Sequence, residues 1–152
     1  MTTTLTASPA ATAHAFLDAL AEHDVAAAVG LTDPQVAVVV HPLGVRATGR
    51  AALQTVLTDL VTAFPDLLLT VRRVIVTGDV VTALLRVEGT QAAAYAGVVN
   101  QEKHIDLDQA WRFVIDDAVI TAMSAYWCQQ QLYRRLAVKR FDQVAIVGGE
   151  QP

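Results

Sequence analysis

Apolar residues recur at two different periods along this chain, and the switch between them divides it. Over the first sixty residues the spacing is helical. Ala13, Phe16, Leu17, Leu20 and, further on, Val25 fall on one stripe, which predicts a helix from Ala10 to Val29. The segment "GLTDP" then breaks the pattern. Val36 to Val40 is a β-branched run too short for a helix, and His41-Pro42 punctuates it, so it predicts a strand ending at a turn. Thr48-Gly49-Arg50 leads into a second amphipathic helix, Arg50 to Ala63, carrying Leu53, Val56, Leu57, Leu60 and Val61, which "FPDL" stops.

From there the period falls to two. Leu67 to Thr77, Val80 to Thr90, His104 to Ile115 and Val119 to Trp127 predict four long strands, with Gly78-Asp79 and Asp116-Asp117 as hairpin turns. The order predicts an α+β fold: a conical barrel of a curved, mostly antiparallel sheet wrapped around two to three N-terminal helices. A cone of this kind suits a small apolar ligand. In the third long strand Leu107, Gln109, Trp111 and Phe113 share one face, and Asp106, Asp108 and Arg112 the other. Gln109 is thus the one polar group on an apolar face. In the last strand, alternation offers either Ile120, Ala122, Ser124 and Tyr126 or Val119, Thr121, Met123, Ala125 and Trp127 as the inner set, without choosing. The segment "QAAAYAGVVN", Gln91 to Asn100, is expected to form a flap over the open end, with Tyr95 as a lid contact.

With 152 residues, the chain is expected to form one domain over 10–140, between a disordered tail at 1–9 and a C-terminal extension at 141–152 whose apolar run, Val144 to Val147, could cover the pocket. It is 53% hydrophobic and 17% charged, with a net charge of −4, so nucleic acid is not expected as a partner. No apolar run approaches the roughly 20 residues of a membrane-spanning helix, and the Thr-rich start has no apolar signal core. A cytoplasmic protein without membrane attachment is expected. The single cysteine, Cys128, permits no internal disulfide.

Several local features then carry a likeness. They are "HPLG" after the first strand, "TGRAAL" opening the second helix, Phe64-Pro65-Asp66-Leu67 ending it, Val87-Glu88-Gly89-Thr90 closing a strand, and a Tyr-Trp followed by "LYRRL". In order and spacing, from about Ala13 to Val138, the chain resembles the SnoaL-like polyketide cyclases, in the superfamily of ketosteroid isomerase and nuclear transport factor two. The resemblance implies a cofactor-free, dimeric cone that acts on a hydrophobic, polyketide-like small molecule, in the best-known members by aldol ring closure. Such cyclases place a carboxylate just before the Trp of the last strand and a His on the neighbouring strand; here those positions hold Tyr126 and Gln109. Many relatives carry an aspartate after that Trp, where this chain has Cys128. The three proton-transfer positions are thus occupied by groups that are weak acids or do not ionise near neutral pH.

Tyr126 and Gln109 can still donate hydrogen bonds to a carbonyl, which is enough for a pericyclic closure that needs pose control rather than proton abstraction. Some SnoaL-like proteins of macrocyclic polyketide pathways are known to act in this way. The expected catalytic pair is therefore Tyr126 and Gln109. Around it, Trp111, Phe113, Tyr95, His41, His14, Phe16, Leu107, Ser124 and Cys128 are expected to line the substrate site. His14 could point into the cone's mouth, His41 could be a turn residue or a donor, and Cys128 reads as a small buried hydrophobe. His23 and His104 read as solvated. No metal site is expected, since no histidine pair has a ligand spacing. Two other readings stay open: an aldol-type cyclase, isomerase or dehydratase with His41, His14 or Asp108 as base, and a non-catalytic carrier of a hydrophobic ligand.

Overall fold

The computed structural model describes residues 8–138. The expected tail and C-terminal extension, including Val144 to Val147, therefore lie outside the described residues, except that Ser8 and Pro9 belong to the first helix. Ser8 caps α1 (Pro9–Ala21) by accepting from the Ala11 N–H at 3.1 Å, and Pro9 at the first helical position sacrifices no hydrogen bond. The single expected helix, Ala10 to Val29, is two. His23 turns into the left-handed region at φ 61°, and Asp24 caps α2 (Val25–Gly30) by accepting from Ala27 N–H at 3.0 Å. The apolar stripe continues across this break, which is why periodicity alone joins the two.

Strand β1 (Thr32–Val40) starts earlier than expected and tolerates Pro34 because its pairing is interrupted between Thr32 and Ala37. A 3₁₀ turn, His41–Leu43, closes on Gly44 at φ 66°, and β2 (Val45–Thr48) runs back along β1. Then come α3 (Arg50–Ala63), β3 (Leu68–Thr77), β4 (Val80–Thr90), β5 (His104–Asp116), β6 (Val119–Trp127) and α4 (Gln129–Arg135). The second hairpin turn falls at Asp117-Ala118, both at positive φ, one residue beyond the expected pair.

The expected four-stranded meander is part of a six-stranded sheet, ordered β2-β1-β6-β5-β4-β3. All neighbours are antiparallel except β1 and β6, which are parallel. The sheet curls into an open cone whose two edges, β2 and β3, do not meet. Helix α1 crosses the concave side over β3 to β6, and α3 leans on β1. The core is the concave side: Phe16, Leu17 and Leu20 from α1, Leu53, Leu57 and Leu60 from α3, and inward residues such as Val38, Leu85, Leu107 and Phe113 from the sheet. No helix among the described residues is long and apolar enough to cross a membrane.

The "FPDL" and "VEGT" segments fasten one rim. Phe64 is fully buried, and a Cβ on Gly89 would stand 2.9 Å from the Phe64 Cβ, so only glycine lets β4 pass this close. Asp66 accepts from Thr90 N–H at 2.7 Å, and that hydrogen bond holds its carboxyl below the usual carboxylate range. Gly89→Ala is expected to destabilise the fold by about 1–3 kcal/mol through overpacking, read as a lower urea midpoint with an unchanged slope. An unchanged midpoint would mean that Phe64 can withdraw freely.

Candidate active site

The inner face of β5 is built by alternation. Ile105, Leu107, Gln109, Trp111, Phe113 and Ile115 all point into the cone, and each is buried. Phe16 from α1 lies over this row, 6.4 Å from the Trp111 ring and 5.2 Å from the Phe113 ring between centroids, in tilted and edge-on contacts. Leu107, Trp111, Phe113 and Phe16 therefore come together in the core on the inner side of the sheet. The opposite face carries the charge. Arg86 on β4 forms an ion pair and hydrogen bond with Asp106 and reaches Asp108 at 3.3 Å, while Asp108 is open to solvent. Asp108 thus stands outside the cone and is not placed to act as a base within it.

Gln109 is only 7% exposed and sits among apolar neighbours. Across the sheet it faces Leu85 on β4 and Trp127 on β6; along its own strand it lies between Leu107 and Trp111. Its Oε1 accepts from the Trp111 indole N–H at 2.8 Å, and this is the one side-chain hydrogen bond Gln109 makes among the described residues. The Trp127 indole is committed elsewhere, donating to Gln129 Oε1 at 2.8 Å.

Tyr126 does not join it. The pairing of β5 with β6 slips between Val114 and Ile115, and from Met123 onward the inner residues are Met123, Ala125 and Trp127. Tyr126 opposes Ala110 on the outer face, 39% exposed, and stacks on His41 with ring centroids 4.6 Å apart. The parallel pairing of Val40 with Ala125 brings that histidine there. Both residues are thus displaced from the expected pocket to the convex surface. Ser124 shares that outer face, opposite Arg112. His14 is on the solvent side of α1, since the buried stripe is Thr12, Ala13, Phe16, Leu17 and Leu20. Cys128, expected to be buried, is exposed at the N-cap of α4.

Tyr95 is buried, but not as a lid. The loop after β4 folds into a small hairpin, Tyr95 bridging Val98, and the phenol ring meets Phe64 edge-on at 5.3 Å. Gln91, itself buried, donates to the Val98 carbonyl and accepts from Gln101 N–H, and Gln101 in turn donates to the Leu136 carbonyl after α4. These bonds tie the loop to the core. Burial, reinforced by the charge of Asp59, pushes the Tyr95 phenol well above its usual range. His23, expected in solvent, is half-buried with Nε2 at 3.2 Å from the Leu67 carbonyl. His104 is exposed as expected.

Two residues not among the expected site residues also face inward: Trp127, which alternation offers in one of two alternative sets, and Thr12, which the sequence reading does not single out. Trp127 faces inward directly opposite Gln109. Thr12 is buried on α1 one turn before Phe16; a polar residue at i−4 on an apolar stripe was the available signal. Apart from the Tyr95 phenol, the buried polar side chains among the described residues are Thr12, Thr32, Gln91 and Gln109, none of them ionisable. Thr32 is satisfied by the Val29 carbonyl at 2.6 Å and Gln91 by its loop, while Gln109 is bonded among the described residues through its Oε1 to Trp111. Among the described residues no three His, Cys, Asp or Glu gather closely enough to hold a metal ion.

Among solved structures the chain is similar to a provisionally assigned SnoaL-like polyketide cyclase from Jannaschia sp. CCS1, at 17% identity and a TM-score of 0.80, covering 92% of this chain and 99% of that one. It is also similar to IdmH, provisionally a polyketide cyclase, from Streptomyces antibioticus (18% identity, TM-score 0.74, 87% of this chain and 100% of that one). AclR from Streptomyces galilaeus, provisionally a hydroxylase, matches at 17% identity and TM-score 0.74, over 85% of this chain and 80% of its own. At these identities the likeness is one of fold, and the fold serves more than one chemistry. A search of curated proteins finds no match. The family model described as a SnoaL-like domain matches residues 13–123, most of the chain, so this protein belongs to the SnoaL-like family.

Proposed function

We propose that the protein is a cofactor-independent cyclase that takes a hydrophobic, polyketide-like small molecule into the cone and closes a ring by holding it in a reactive pose, with Gln109 donating a hydrogen bond to a substrate carbonyl. The observation that carries this reading is the distribution of ionisable groups. Asp106, Asp108, His14, His41 and Tyr126 lie outside the cone or open to solvent, and the buried polar side chains among the described residues are amides and hydroxyls, including a Tyr95 phenol that burial keeps protonated well above neutral pH. An aldol closure needs a positioned base to remove a proton from carbon. A pericyclic closure does not: a [4+2] cycloaddition exchanges two π bonds for two σ bonds, and no proton or electron enters or leaves. Aromatic walls that fold a polyene and one donor that polarises its carbonyl supply what that reaction requires. The homodimer implied by the family likeness is part of the same proposal.

The test is a pH–rate profile with linear polyene ketones as substrates. With no titrating group at the reacting atoms, kcat/KM is expected to stay within about twofold from roughly pH 5.5 to 9. A limb near the histidine range, where an unperturbed imidazole titrates at about 6.5, would overturn the reading in favour of an acid/base cyclase. Saturable binding with no product at any pH would identify a carrier instead.

A further inference from the structure

Gln109 carries two opposite hydrogen-bonding ends, and which one the cone presents decides what it can bind. The amide can rotate by half a turn within almost the same volume, exchanging an acceptor for two donors, so an unconstrained buried glutamine would serve ligands of either polarity. Here it is constrained. The Trp111 indole N–H is a donor and nothing else, it lies on the same inner face two residues along β5, and it donates to Gln109 Oε1 at 2.8 Å. Trp111 is itself 2% exposed and held by the Phe16 ring. The flipped amide would set N–H against N–H and leave the indole without its acceptor, so this bond selects the orientation.

The NH₂ end then makes no hydrogen bond among the described residues. Its neighbours within the sheet are Leu85, Leu107 and Trp127, none of which offers a side-chain acceptor, and the β5 backbone is committed to the β4 and β6 ladders. The indole that could have competed for Oε1, that of Trp127, is bonded to Gln129.

We propose that Trp111 is a positioning residue that locks the Gln109 amide with its NH₂ toward the cone, making this subsite selective for a hydrogen-bond acceptor, specifically a ketone-type carbonyl oxygen, on an otherwise apolar aromatic ligand. This deepens the cyclase reading by assigning the polarity of its one polar contact, but the selectivity itself can be measured without turnover.

The probes are 2-acetonaphthone and 2-isopropenylnaphthalene, which have nearly the same shape and differ in the carbonyl. By calorimetric titration the native protein is expected to prefer the ketone by about 2- to 10-fold, the range of one net hydrogen bond. Trp111→Phe keeps an aromatic wall but frees the amide, and the preference should fall to within experimental error of unity. A native protein that does not distinguish the probes, or a Trp111→Phe variant that keeps the full preference, overturns the proposal. Should that variant fail to fold, the native protein decides by ¹⁵N–¹H spectra, with the Gln109 side-chain pair identified by its loss in Gln109→Leu. The ketone should move that NH₂ pair and leave the indole signal of Trp111 in place, whereas movement of the indole with a static NH₂ would overturn the lock. Ketone selectivity without turnover at any pH would remove the cyclase reading and leave this inference intact; turnover without selectivity would do the reverse.

Discussion

Phe16→Ala is expected to cost about 3–5 kcal/mol, the range for a fully buried aromatic ring, and to lower Tm by on the order of 10 °C in a chain of this size. The ring is completely inaccessible and is the piece of α1 that contacts both Trp111 and Phe113 on β5. Its removal leaves a void between helix layer and sheet that neither can close without moving the helix. The neighbouring His14→Ala, on the exposed side of the same helix, should stay within about 0.5 kcal/mol. Urea unfolding of both variants makes the comparison. A loss below about 1.5 kcal/mol for Phe16→Ala would mean that α1 does not seat on β5 as described. The variant should also loosen the Trp111 ring and so weaken ketone selectivity, a coupling that a surface substitution on α1 would not produce.

The elements that sequence alone placed well are those whose burial is one-sided and uninterrupted. Helix α3, Arg50–Ala63, and strand β4 have the expected limits, because the apolar stripe or alternation starts and stops with the element. The break between α1 and α2 left no mark on the stripe; it was written in Asp24, a capping residue, and in a left-handed His23. Strand β2 has four residues and owes its existence to β1 alongside it, so no local pattern announces it. The parallel β1–β6 contact joins segments more than eighty residues apart, and it is that contact which stacks His41 on Tyr126.

The candidate site divides in the same way. The β5 alternation is unbroken through thirteen residues, so Leu107, Gln109, Trp111 and Phe113 were legible as one inner row and Asp106 and Asp108 as outer charges. Strand β6 is different. Ile120 and Met123 are both buried although three residues apart, because the pairing slips near Thr121 and inverts the faces beyond it. A single extra residue exchanged Tyr126 for Trp127 inside the cone. The Met and Trp in the second set favoured it by size, while the resemblance drew attention to Tyr126.

Gln109→Leu carries the larger functional consequence. The removal of one preorganised donor from a water-poor site is expected to lower kcat by roughly 10²–10³-fold, about 2.7–4 kcal/mol of transition-state stabilisation, with a smaller change in KM because the apolar walls still bind the ligand. The substitution also strips Trp111 of its acceptor, and a buried indole N–H without a partner costs about 1–3 kcal/mol of stability. A fall in activity could then be mistaken for partial unfolding. The double variant Gln109→Leu, Trp111→Phe separates the two effects: removal of both partners of the bond should restore most of the lost stability without restoring turnover. If the double variant regains activity along with stability, the donor has no part in the chemistry and the cone acts by shape alone.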